Sequence, residues 1–289
     1  MVTILALAAA VLYGTADFLG GVASRRASVF TVLALTVPAG AVVMVLAALL
    51  GGLLGHGGTG APASPGDWSA VGWAAASGVC GAGGLIAFYV GFASAPISVV
   101  APVAALVSAV LPVGVAIAGG ERPATTVIAG GLICLVAVVL VSAQPADHAR
   151  TRGRLLALGY GAAAGVGFGL FFIFLKNAGQ SGVLWPVAIS RSAGTVVAFG
   201  IALATRTRLR PGRDGITRIA LLSGAIDAAA NVCYVLATRA GLFGLAVVIT
   251  SLYPGMTVLL ARVLLGERMR WVQRAGLLLA AAGVVLVTV

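Results

Sequence analysis

Ten apolar stretches, each about as long as a bilayer crossing, take up nearly the whole of this 289-residue chain. They run approximately over 2–23, 29–54, 69–93, 97–118, 123–142, 154–176, 183–204, 217–239, 243–264 and 271–289. A helix of about 20 residues crosses roughly 30 Å of hydrocarbon, and a segment in lipid has to satisfy its backbone groups internally. The expected fold is therefore all-α, a polytopic membrane protein of ten transmembrane helices. Composition agrees, since charged residues make up only 9% of the chain where a soluble domain needs roughly a quarter. Function is then to be sought among the few polar groups inside the spans.

The net charge of +11 does not point to nucleic acid, because no basic stretch is attached to a soluble fold. Most of the arginines sit instead in short connectors. Arg25 and Arg26, Arg150, Arg152 and Arg154, Arg206, Arg208, Arg210, Arg213 and Arg218, and Arg268, Arg270 and Arg274 share one face, 13 in all. The opposite face carries Arg122, Lys176 and Arg239, while Arg191 and Arg262 lie within spans. This asymmetry puts the first face in the cytoplasm and both termini outside. No basic stretch precedes the first apolar run, so that run reads as a retained span. Cys80, Cys134 and Cys233 are scattered through the spans, and His56 and His148 lie in connectors, so neither a disulfide framework nor a metal cluster is indicated.

An internal repeat organises the chain. Gly120-Glu121-Arg122 recurs as Gly266-Glu267-Arg268, 146 residues later. At the same shift Ala129-Gly130 matches Ala275-Gly276, and Ser77-Gly78 matches Ser223-Gly224. The expected units are residues 1–146 and 147–289, five helices each. Five is odd, so the two units must be inverted relative to one another, an arrangement that usually encloses a site near the membrane midplane.

Polar residues inside the spans give the candidate site. In the eighth span Ser223, Asp227, Asn231, Tyr234 and Thr238 follow helical spacing on one face. A stripe with a carboxylate near its middle is costly against lipid, so it lines either a wet cavity or a hydrogen-bonded helix seam. Arg191 comes to about the depth of Asp227 and calls for an acidic partner, with only Asp17 and Asp227 inside spans. That pair is either a static ion pair or part of a substrate or gating site. In the first span Tyr13, Asp17 and Ser24 share a face beside Gly20 and Gly21. Asp17 is placed to take up a proton, bind a cation or pair with Arg25 or Arg26. Phe88, Tyr89, Trp185 and Tyr253 are candidate pocket walls, and Trp185 suits a membrane interface equally well. Gly161, Gly165 and Gly169 form small-xxx-small steps for a tight helix contact, and Pro102, Pro112 and Pro254 are candidate bends.

Ten spans in two inverted halves, the run Tyr13-Gly14-Thr15-Ala16-Asp17-Phe18, and Gly-Glu-Arg steps followed by Gly130 and Gly276 together resemble the drug/metabolite transporter superfamily, specifically its EamA-type exporters. The resemblance covers essentially the whole chain. It implies secondary export of small metabolites such as amino acids, or of drugs, by alternating access through a central cavity. It also implies an inner-membrane location, a small-molecule substrate, the lipid bilayer as surroundings and no cofactor. On this reading Asp227, Asn231 and Tyr234 line the cavity with Tyr13 and Tyr253, Arg191 is a charge partner or anion contact, and Asp17 is a second carboxylate. The chain has no nucleotide-binding loop and its one lysine is Lys176, so transport should draw on a proton or substrate gradient with Asp17 or Asp227 titrating. A passive channel or non-transporting scaffold is the rival, separated by concentrative transport. A membrane-embedded enzyme would need a nucleophile–base pair or a metal cluster, and the spans contain no histidine.

Overall fold

The computed structural model describes residues 1–24, 27–53, 68–94, 97–142, 151–204, 215–265 and 271–288. Arg25 and Arg26, His56, His148, Arg150, the arginines from Arg206 to Arg213, and Gly266-Glu267-Arg268 with Arg270 lie outside the described residues. So do the side chains of Ser24, Tyr89, Pro102, Arg152, Arg154, Pro254 and Arg262.

The described residues form α1 (Val2–Ser24), α2 (Val29–Leu53), α3 (Trp68–Ser94), α4 (Ile97–Ala118), α5 (Thr125–Ser142), α6 (Thr151–Ala178), α7 (Leu184–Ala204), α8 (Ile216–Ala240), α9 (Phe243–Thr250), α10 (Tyr253–Leu265) and α11 (Trp271–Thr288). The all-helical expectation holds. Six of the helices, α1, α2, α3, α6, α7 and α8, are long and apolar enough to cross a membrane, and α4, α5 and the α9–α10 pair contribute shorter apolar stretches. Large apolar side chains such as Leu50, Val196, Leu203 and Leu278 are exposed on the outside of the bundle, where lipid would cover them.

One span differs from its expected form. The ninth is broken at Ser251 and Leu252 into α9 and α10. Pro254 has no N–H to give the Thr250 carbonyl, and a proline ring crowds the carbonyl four residues before it. The chain therefore tightens there, with the Leu252 amide donating to Ile249 O at 3.1 Å. The fourth span, by contrast, runs unbroken through Pro102 and Pro112.

Helices meet mainly between the two halves of the chain. α1 packs on α8 and on α9 and α10; α3 packs on α6; α4 on α6; α2 on α7; α5 on α11. Small residues let these backbones approach closely. Gly161, Gly165 and Gly169 lie along α4, where an added Cβ would meet Val100 O, Ala104 O and the Leu111 side chain respectively. The two Ser-Gly steps make parallel contacts. Ser77 Oγ donates to Phe171 O of α6, and a Cβ on Gly78 would run into Ser190 O of α7. Ser223 Oγ donates to Ala16 O of α1, and a Cβ on Gly224 would run into Thr36 O of α2.

Candidate functional site

The charged centre is assembled from α1, α7 and α8. Arg191, a third of the way along α7, points its guanidinium at Asp227 of α8, with Nη1 2.5 Å from Oδ2. Their side chains keep 15% and 25% exposure, so the pair borders an open space and is not sealed in a core. The guanidinium also lies over the Phe171 ring, 5.9 Å from its centroid, while its Nε is buried without an acceptor. Asp17 of α1 is exposed into the same space and has no ion pair or hydrogen bond among the described residues.

A hydrogen-bonded wall stands behind these charges. Tyr13 OH donates to Asn231 Oδ1 at 2.8 Å, and Asn231 Nδ2 donates to the Asp227 backbone carbonyl at 2.6 Å. Tyr234 OH donates to Phe172 O at 2.9 Å. The Tyr13 ring meets Phe172 and Tyr253 edge-on, with centroids 6.1 and 6.4 Å apart. Thr257 Oγ1 of α10 donates to Gly14 O at 3.1 Å, which ties the broken ninth span to α1 next to Tyr13.

The open space is a cavity of about 530 Å³, within the roughly 300–1,000 Å³ typical of small-molecule sites. Tyr13, Asp17, Arg191, Asp227 and Tyr253 line it, together with aromatic rings including Phe88, Phe168 and Phe171. It begins near mid-bundle and extends toward the end where α1 meets α2: the second half of α1, the first half of α2, α7 from Ser190 to Ile201, the first half of α8 and Gln273 at the start of α11 all contribute. Two expected lining residues are elsewhere. Asn231 and Tyr234 are buried behind the wall, because α1 and α6 close over that part of α8. The stripe on α8 is thus divided: Ser223 and Asp227 face the cavity, while Asn231, Tyr234 and Thr238 form a seam. Trp185 packs against the core and Phe88 reaches the cavity.

At the opposite end Ala6 of α1, Ala237 of α8 and Ala246 and Ile249 of α9 are buried together, and Glu121 ties α4 to α9 there. Gly120 takes φ +94°, a conformation glycine adopts without strain, which turns the chain at the end of α4. The Glu121 carboxylate then accepts the Phe243 amide at 2.9 Å and the Gly244 amide at 3.1 Å. These are the first N–H groups of α9, which have no partner within the helix and lie at its positive end. Lys176 Nζ sits 5.2 Å from the centroid of the Phe243 ring on the same end. The sequence marked Glu121 by its repetition but gave no sign of its partner. Among the described residues no group of three or more His, Cys, Asp or Glu is placed to hold a metal ion.

Residues 155–289 match the EamA-like transporter family. No curated protein matches the chain in sequence. A solved crystal structure shares the fold over nearly all of both chains, with a TM-score of 0.78 at 19% identity, covering 99% of this chain and 96% of the other.

Proposed function

We propose that this chain, a multi-pass membrane protein whose second half matches a transporter family, is a secondary exporter of small molecules that works by alternating access. The observation that carries this reading is a cavity with three charged side chains that opens toward one end of the bundle, while at the other end the described helices pack around Ala6, Ala237, Ala246 and Ile249. A pore would be open at both ends, and a scaffold would have no reason to keep inside a membrane, where charge is costly, an Asp17 that has no ion pair or hydrogen bond among the described residues. The two halves act as inverted repeats. Their mutual packing supports this, since α1 on α8 answers α3 on α6, and the Ser77-Gly78 contacts are answered by those of Ser223-Gly224.

On this reading the open end faces the cytoplasm and both termini lie outside, which the cation-rich connectors support. An exporter loads from that side, so the cavity is in its loading state. Cysteines at Thr59 and Thr207 should then react oppositely with an impermeant thiol reagent in intact cells, Thr59 being labelled.

A proton is the coupling ion of this reading, with Asp17 as its acceptor. Asp227 is already held by Arg191, whereas Asp17, which lines the same cavity, has no ion pair or hydrogen bond among the described residues. The test is counterflow of labelled metabolites into proteoliposomes, with and without a pH gradient. Uptake of at least one solute that a protonophore alters is expected. No exchange of any solute would overturn the carrier reading, and exchange indifferent to pH gradient and protonophore would replace proton coupling by facilitated exchange.

A further inference from the structure

The two halves of the chain keep one register where the fourth and ninth spans cross. α4 begins at Ile97 and α9 at Phe243, 146 residues later, and α5 and α11 begin and end at the same interval. This is also the interval of the repeated Gly-Glu-Arg step. α4 nevertheless runs unbroken where α9 and α10 are separated: Leu252 corresponds to Leu106, and Pro254 to Ser108. Proline by itself does not break a helix of this protein, since α2 runs through Pro38 and α4 through Pro102 and Pro112. The break also leaves a bond unmade. Ser251 Oγ donates to Val247 O at 2.8 Å, whereas the neighbouring Thr250 Oγ1 is buried and has no partner among the described residues. An unpaired buried hydroxyl is costly, a cost that a second form of the span can relieve.

α4 is weak at the matching place. Pro112 has no N–H to give the Ser108 carbonyl. The buried Ser108 Oγ donates to Ala105 O at 3.0 Å, a back-bond of the kind that bends helices. Ala105 borders the cavity. α6 lies against both sides of this turn: an added Cβ on Gly165 would meet Ala104 O and Val107, and one on Gly169 would meet Leu111 and Pro112. Farther on, α4 reaches α9. An added Cβ on Gly244 would lie 3.5 Å from Ala116 Cβ, and Glu121 accepts the Phe243 and Gly244 amides. α10, past the break in its own span, packs chiefly on α1 and α5. We infer that α4 carries a latent hinge from Ala105 to Ser108 and that the two spans exchange forms. When α9 and α10 join into one straight helix, α4 breaks at this hinge and its end leaves α9. The inference rests on the alternating-access reading, for which it names the piece that moves.

The test is a disulfide across the crossing. Cys80, Cys134 and Cys233 are replaced, and Ala116→Cys is combined with Gly244→Cys, whose Cβ separation of 3.5 Å suits the bond. The rate of oxidation by copper phenanthroline, in purified full-length protein, reports how often α4 and α9 meet there. Pro254→Ala favours a straight ninth span and should slow cross-linking by at least about threefold. Ser108→Pro, which gives α4 the residue of the other span, should slow it likewise, and Ser108→Ala, which removes the back-bond, should speed it. Pro38→Ala in α2 is the control and should change nothing. An unchanged rate in folded Pro254→Ala or in folded Ser108→Pro would overturn the inference, as would equal slowing by Pro38→Ala. If Ser108→Pro does not fold, Pro254→Ala decides. Counterflow in proteoliposomes separates the hinge from the carrier reading. Exchange that stops when the pair is oxidised and returns on reduction joins the two. Exchange that persists in fully cross-linked protein would sink the hinge and leave the carrier. Rates that shift as expected, with no exchange of any solute, would sink the carrier and leave the hinge as a property of the fold.

Discussion

Arg191 and Asp227 meet at 2.5 Å from adjacent helices, each still partly open to the cavity. Removing the negative partner leaves a cation with a buried, unpartnered Nε and without the carboxylate that holds it. Asp227→Asn should destabilise the protein by about 3 kcal/mol, the low end for a broken buried pair because the pair keeps some access to water. The double exchange Arg191→Asp with Asp227→Arg should recover part of that loss. Thermal unfolding in detergent measures both, and a folded Asp227→Asn protein of wild-type stability would show that the pair holds nothing together.

Tyr13 and Asn231 give a second, independent outcome. Asn231 is 1% exposed and accepts the Tyr13 hydroxyl proton at 2.8 Å. Tyr13→Phe leaves that buried acceptor unsatisfied, at a cost of about 1–3 kcal/mol. Asn231→Ala on top of Tyr13→Phe should then cost less than the sum of the two single changes. An additive double-mutant cycle would mean that the bond contributes nothing.

The paired glycines predict matched effects in two distant places. Gly78→Ala and Gly224→Ala each drive a methyl group into a neighbouring helix backbone, at Ser190 O and Thr36 O. Each should destabilise by about 1–3 kcal/mol, as overpacking does. Gly72→Ala, with nothing within 4 Å of its added carbon, is the control and should be neutral or slightly stabilising.

At the closed end, Glu121→Gln keeps one acceptor and loses the other, so one amide of Phe243 or Gly244 goes without a partner. The expected cost is about 1–3 kcal/mol, felt mainly by α9. A cysteine replacing Thr250, which is fully buried at the end of α9, should react faster with a thiol reagent in the Glu121→Gln background. Unchanged labelling would show that other contacts hold α9 in place.

Much of the architecture was legible because lipid leaves a spanning chain few choices. Span positions followed from apolar run length, and α4 begins and ends at the residues expected of it. The meeting of Arg191 with Asp227 followed from equal depth and the scarcity of intramembrane acids. Periodicity located the face that Asn231 and Tyr234 share with Asp227, but not how far along it α1 and α6 would cover that face. Pro254 signalled a disturbance without saying whether the helix would bend or stop. Glu121 was hardest to read, since its partners lie 122 and 123 residues away in sequence and are backbone amides, which every residue but proline carries.

That last contact also bears on how often the closed end opens. Hydrogen bonds to a charged group contribute about 1.5 kcal/mol each at the low end, and α9 cannot lift from Glu121 without giving up both. Two such bonds alone contribute a factor on the order of a hundred in favour of the closed form. That factor comes on top of the packing of α9 against α1 and α4, so a released end is a minor state that a bound solute could favour only by making contacts there that it lacks in the closed form.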